Sequence, residues 1–90
     1  PSNIQAVVSR GGRPDLAGPY LTSVTAPTLL IVGGHDEPVI ELNQFAYNLL
    51  TCEKKLLIIP GATHLFEEPG TLEQVAEHAG TWCRRFLAIA

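Results

Sequence analysis

Pro27-Thr28-Leu29-Leu30-Ile31-Val32-Gly33-Gly34-His35-Asp36 decides the architecture of this chain. The apolar run from Thr28 to Val32 is continuous rather than alternating, which is the pattern of a strand covered on both faces. Such strands belong to parallel sheets with helices above and below. Pro27 opens the run and Gly33-Gly34 stops it. Similar punctuation recurs on either side. Ile4-Gln5-Ala6-Val7-Val8-Ser9 is stopped by Gly11-Gly12, and Lys55-Leu56-Leu57-Ile58-Ile59 by Pro60-Gly61. The third run is again continuous, so it too is expected to be covered on both faces.

Helical spacing fills the gaps. Glu37 to Leu50 sets Ile40, Leu42, Phe45, Ala46, Leu49 and Leu50 broadly on one side, with Pro38 suited to a first turn. From Thr71, the residues Leu72, Val75, Ala76, Ala79, Trp82, Cys83 and Phe86 recur at helical spacing, with Trp82 and Phe86 reading as core. Thr71 and Gln74 form a capping-box pair. Gly80 inside that helix is expected to permit close approach to the sheet. Pro14 to Thr25 is interrupted by Gly18-Pro19 and predicts only short turns. The fold class is therefore α/β, a three-stranded parallel sheet in the order β-short α-β-α-β-α, with right-handed crossovers.

Composition narrows the function classes. The chain has 90 residues, 46% of them apolar, with six Lys+Arg against nine Asp+Glu. It is one small domain, 1–90, burying roughly 60% of its unfolded surface, a marginal core unless something else covers it. Its charge of −3 and its scattered basic pairs argue against nucleic acid, whose phosphates demand a clustered basic face. No apolar run approaches the roughly 20 residues that span a bilayer, and no leader opens the chain. Two cysteines, Cys52 and Cys83, are too few for a disulfide framework. Two buried thiols are the plainer reading, with a bridge between them as the alternative, and a reducing cytoplasm fits best. The chain begins at Pro1 and contains no Met, so a fragment or processed product is expected.

In a parallel sheet, reactive side chains gather in the loops after the carboxyl ends of strands. Asp36 follows the second strand and His64 the third, so both belong to the same end. Adjacent strands lie about 4.8 Å apart, which brings Asp36 within hydrogen-bonding reach of His64. A carboxylate on one imidazole nitrogen fixes the tautomer and stabilises the imidazolium formed when the other takes a proton.

The run from Pro27 to Asp36, followed by His64 within Pro60-Gly61-Ala62-Thr63-His64-Leu65-Phe66, resembles the carboxyl-terminal third of an α/β-hydrolase, in the dienelactone-hydrolase-like group. The likeness runs from Ala6 to Leu87. It implies the acid of a Ser/Cys-His-Asp triad at Asp36 and the catalytic histidine at His64, acting on an ester or lactone of a small organic acid. It implies no cofactor.

The family's nucleophile sits on an earlier strand, in a G-x-S-x-G elbow or a related one, and this chain has no such pattern. Ser9 follows the β-branched Val7 where an elbow takes a small residue, and reads as a strand-end hydroxyl. Ser2, Ser23, Cys52 and Cys83 lie outside the strand-end loops. The chain alone is therefore expected to be inactive. Its first strand, Ile4 to Ser9, forms an edge that normally pairs with an absent strand. The short first crossover is expected to leave one sheet face thinly covered. Both point to a homo-oligomer or to docking on the missing amino-terminal part.

Blander roles stand beside these. Asp36 suits an N-cap, and His64 an ordinary loop position. A metal site from His35, Asp36, His64 and Glu67 lacks tight ligand spacing, so no metal is expected. Glu67 and Glu68 are expected to be solvated, with a salt bridge from one of them to Arg10 or Arg13 as the alternative, while His35 and His78 are given no role. Gly11-Gly12 and Gly33-Gly34 form neither G-x-G-x-x-G nor a Walker pattern, and serve sharp turns. The alternative to the hydrolase segment is a non-catalytic interaction or dimerisation module on the same half-fold, and a weaker one a flavodoxin-like small-ligand domain.

Overall fold

A computed structural model describes residues 5–87. Strand β1 is Val7–Arg10, β2 is Thr28–Gly33 and β3 is Lys54–Ile59. Helix α1 is Glu37–Leu49 and α2 is Thr71–Leu87, while Pro14–Ser23 forms a kinked 3-10 stretch broken at Gly18. All pairings are parallel, as the continuous apolar runs predict, and the spatial order β1-β2-β3 equals the chain order.

Two apolar layers sandwich the sheet. On one face Leu30 packs with Leu21 of the 3-10 stretch and with Ala46 and Leu50 around α1. On the other, Leu29, Ile31 and Ile59 pack with Val75 and Trp82 of α2 and with Ala62 and Phe66 of the loop between β3 and α2. Every residue of β2 is buried, so its continuous apolar run has the cause inferred for it.

Several expectations are corrected. Strand β1 begins at Val7, not Ile4; Gln5 and Ala6 lie outside the ladder, and Ile4 lies outside the described residues. The reason is Pro27, which faces this point: its carbonyl accepts the Val7 N–H at 2.8 Å, but it has no N–H to extend the pairing backward. Strand β3 is not covered on both faces. It is an edge, with Leu56 and Leu57 half-buried and Ile58 exposed. The first crossover does not leave its face bare, because Leu21 seals it, although Leu16 and Tyr20 of that crossover stand exposed. Thr71 is the first helical residue of α2, and its hydroxyl donates backward to the Glu68 carbonyl at 2.8 Å instead of completing a capping box. A Cβ on Gly80 meets the Arg84 guanidinium at 3.1 Å, so that glycine faces its own helix rather than the sheet. Both cysteines are free and half-buried. Among the described residues, no helix is long and apolar enough to cross a membrane.

Candidate functional site

Three strand-end loops converge at one rim. The loop after β2 turns immediately into α1, with the Asp36 N–H donating to the Gly33 carbonyl at 3.0 Å. Asp36 occupies the N-cap position of α1, yet its side chain makes no capping hydrogen bond. Its Oδ2 instead lies 2.7 Å from His64 Nδ1. Of its two available roles, cap and imidazole partner, the carboxylate takes the second.

His64 is carried by the loop after β3 and held between two anchors. Ala62 and Phe66 are both buried in the core, while the His64 side chain is 56% exposed and that of Asp36 only 14%. Phe66 adopts φ 56, a left-handed conformation unusual for a bulky side chain. Such a backbone costs on the order of 1–3 kcal/mol and persists only where the surroundings enforce it. Burial of the ring among Leu29, Ile31 and Val75 supplies that enforcement.

Glycines let the loops close on one another. A Cβ on Gly33 falls 2.4 Å from the Ala62 carbonyl oxygen and 2.8 Å from that of Thr63, both immovable backbone. The His35 N–H donates to the Ala62 carbonyl at 3.0 Å and the Gly34 N–H to the Ile59 carbonyl at 2.8 Å, stitching the two loops together. Gly11, with φ 60, passes beside His64: its Cβ position is 3.6 Å from Cε1 and Nδ1 of the ring. Only glycine combines that backbone with that proximity at low cost. Gly33 thus serves close packing of the two loops, and Gly11 a left-handed turn beside the imidazole.

With Nδ1 engaged by Asp36, Nε2 is the nitrogen left to exchange a proton with a third group. Among the described residues no hydroxyl or thiol is hydrogen-bonded to it. Ser9 packs against Gly12, whose Cβ position is 2.6 Å from its Oγ. Ser23 and Cys52 precede β2 and β3 and so belong to the opposite end of the sheet, Cys83 lies on α2, and Ser2 is outside the described residues. No group of three or more His, Cys, Asp or Glu side chains suited to a metal occurs among the described residues.

The acidic pair Glu67-Glu68 does not meet the arginines. Arg13 forms a two-bond ion pair with Asp15, both contacts 2.9 Å, which raises the guanidinium pKa and lowers that of the carboxyl. Arg10 lies over the Phe66 ring at 5.7 Å. Glu68 accepts from the Thr63 hydroxyl at 2.7 Å and from its N–H at 3.0 Å, and these bonds hold its pKa below the usual carboxylate range, helped by His35 nearby. Sequence reasoning missed this clamp, which its five-residue spacing inside a turn-rich loop does not announce. It also missed Asn43, fully buried on α1, whose amide donates to the carbonyls of Gly12 and Val39 and so ties the loop after β1 to the helix. The one available signal was a polar residue at a core-facing helical position.

No family model matches the chain. In structure it matches a dienelactone hydrolase from Anabaena variabilis ATCC 29413, with a TM-score of 0.90 and 60% identity over 91% of its length. The chain has the α/β fold of a dienelactone-hydrolase segment. It spans 38% of the Anabaena protein. It is also 66% identical, over 80 residues, to proteins of two Mycobacterium tuberculosis strains, CDC 1551 / Oshkosh and H37Rv, each named "Putative phosphoribosyl transferase", and covers 18% of their length. The dienelactone-hydrolase-like segment is thus a minor part of every relative named here.

Proposed function

We propose that this segment supplies the acid and the base of a nucleophile-His-acid hydrolase, and that the longer protein supplies the nucleophile. Asp36 orients His64 and stabilises the imidazolium that forms when it takes a proton; His64 takes the proton of a serine or cysteine as general base and returns it to the leaving group as general acid. The substrate class is an ester or lactone of a small organic acid, processed through a covalent acyl intermediate in the cytoplasm, with no cofactor or metal. The observation that carries this reading is the 2.7 Å contact of His64 Nδ1 with an Asp36 carboxylate released from capping.

Covalent labelling of the full-length protein tests it. A fluorophosphonate (for serine) or iodoacetamide (for cysteine) is expected to modify one residue outside these 90 and to stop hydrolysis of p-nitrophenyl acetate. Hydrolysis that survives labelling, or that is untouched by His64→Ala, sinks the reading. Phosphoribosyl transfer is not assigned to this segment: the name belongs to proteins more than four-fifths of which lie outside the match, and both glycine pairs serve loop packing or turning.

The 90-residue chain alone is expected to be inactive and to associate through β1. Edge strand β3 opens with Lys54 and Lys55, charges that discourage pairing, whereas β1 is uncharged until Arg10. The partner is the remainder of the hydrolase or, in its absence, a second copy. Sedimentation of the isolated chain at micromolar concentration is expected to give a dimer or larger, and a strict monomer counts against the edge. The interaction-module alternative draws on the exposed Leu16, Tyr20 and Phe45, and requires association without any turnover in the full-length protein.

A further inference from the structure

We infer that Glu68 is a positioning residue for His64, acting through Thr63. This rests on the hydrolase reading above and extends it to the loop that carries the base.

Thr63 immediately precedes His64, and its N–H and hydroxyl both donate to the two oxygens of one carboxylate. Among the described residues neither donor has another partner. Thr63 is gripped from the other side as well, because its carbonyl crowds Gly33 and accepts the Phe66 N–H at 3.1 Å. The loop therefore has four restraints around the imidazole: the Asp36 contact on the ring, the packed ends Ala62 and Phe66, the Phe66 N–H on the Thr63 carbonyl, and the Glu68 clamp on the adjoining residue. The first is made by the reacting group itself, whose charge changes through the cycle. The second fixes the loop's ends but leaves the backbone between them to turn. The third and fourth hold the residue before His64 from its two sides, and of these the Glu68 clamp is the one made by a side chain. Phe66 sits between His64 and Glu68 in the left-handed region, so the closure bends the chain against its local preference. Release of Glu68 leaves that bend to the burial of the Phe66 ring alone, and the residues before it, His64 among them, drift off the line to Asp36 and to an incoming nucleophile.

Full-length protein carrying Glu68→Ala tests this. Both bonds to Thr63 are lost, and kcat is expected to fall on the order of tenfold or more, toward the roughly 100-fold that a misplacement of about 1 Å brings. KM stays unchanged because no substrate contact is removed. The downfield Nδ1–H resonance of protonated His64 broadens as its bond to Asp36 loosens. Glu68→Gln restores most of kcat, since its amide oxygen accepts the Thr63 N–H and the Thr63 hydroxyl can turn to accept from the amide. Thr63→Val removes one of the two bonds, gives an intermediate loss, and substitutes for Glu68→Ala should that variant fold poorly. A purely structural glutamate predicts lower thermal stability with kcat and the His64 resonance unchanged in the folded fraction, and that outcome overturns the inference. Failure of the hydrolase reading looks different: there His64→Ala itself leaves kcat intact.

Discussion

Full-length protein carrying Asp36→Asn is expected to fold and bind substrate as the wild type does while losing about four orders of magnitude in kcat. The expectation follows from which nitrogen Asp36 touches. The carboxylate lies against Nδ1 of His64 and favours the neutral tautomer with its proton there, in which Nε2 is the nitrogen that takes a proton. An asparagine amide presents a donor as readily as an acceptor, and the donor stabilises the opposite tautomer, with the proton on Nε2 where a base is needed. The negative charge that offsets the transient imidazolium also disappears. Four decades correspond to about 5.5 kcal/mol of transition-state stabilisation at about 1.36 kcal/mol per decade. Folding is spared because the Asp36 side chain caps nothing in α1. What folding loses is a charge near a helix N-terminus, worth about 0.3–1 kcal/mol when exposed. A capping role predicts the reverse, since asparagine caps a helix as well as aspartate and the variant would turn over normally. Steady-state kinetics beside a thermal melt separates the two, and an unchanged kcat removes Asp36 from the mechanism.

The legible parts of this fold are those whose cause is local. Continuous apolar residues in β2, glycine at its end and the period of α2 place those elements within a residue of where they lie. The meeting of Asp36 with His64 was legible for a topological reason: parallel neighbours present their carboxyl ends at one rim, and a short loop leaves little room to wander. The misjudged features depend on partners distant in sequence. The start of β1 is set by Pro27 across the sheet, a residue whose missing N–H matters only once the register is known. The exposure of Ile58 goes with β3 having no strand beyond it among the described residues, which its apolar run cannot announce. Gly80 and Thr71 look like packing and capping devices by position, but their contacts are with Arg84 and Glu68. Glu68 looked like a solvated charge because its partner is a backbone N–H and a hydroxyl, groups that charge pairing does not index.

Trp82→Ala is expected to destabilise the protein by about 3–5 kcal/mol, the range for deleting a buried aromatic. Trp82 is nearly fully buried and lies on the only helix that covers its face of the sheet among the described residues. It stacks at 4.8 Å on Phe86 with a 57° tilt and packs with Leu29. Its indole N–H also donates to the Pro27 carbonyl at 3.3 Å, the same oxygen that accepts the Val7 N–H. That sharing decides how the loss divides. The hydrogen bond contributes little, because Pro27 keeps a partner when the indole is gone, so most of the effect comes from lost burial and the cavity left beneath α2. Trp82→Phe, which fills much of the volume without the N–H, is therefore expected to cost less than half as much. Urea unfolding followed by far-ultraviolet circular dichroism measures both, the signal being independent of the indole removed. A typical folded domain has only about 5–15 kcal/mol in reserve. The alanine variant of a chain this small is consequently expected to be largely unfolded unless further sequence of a longer protein covers β1. Equal losses for Phe and Ala would shift the weight to the hydrogen bond at Pro27.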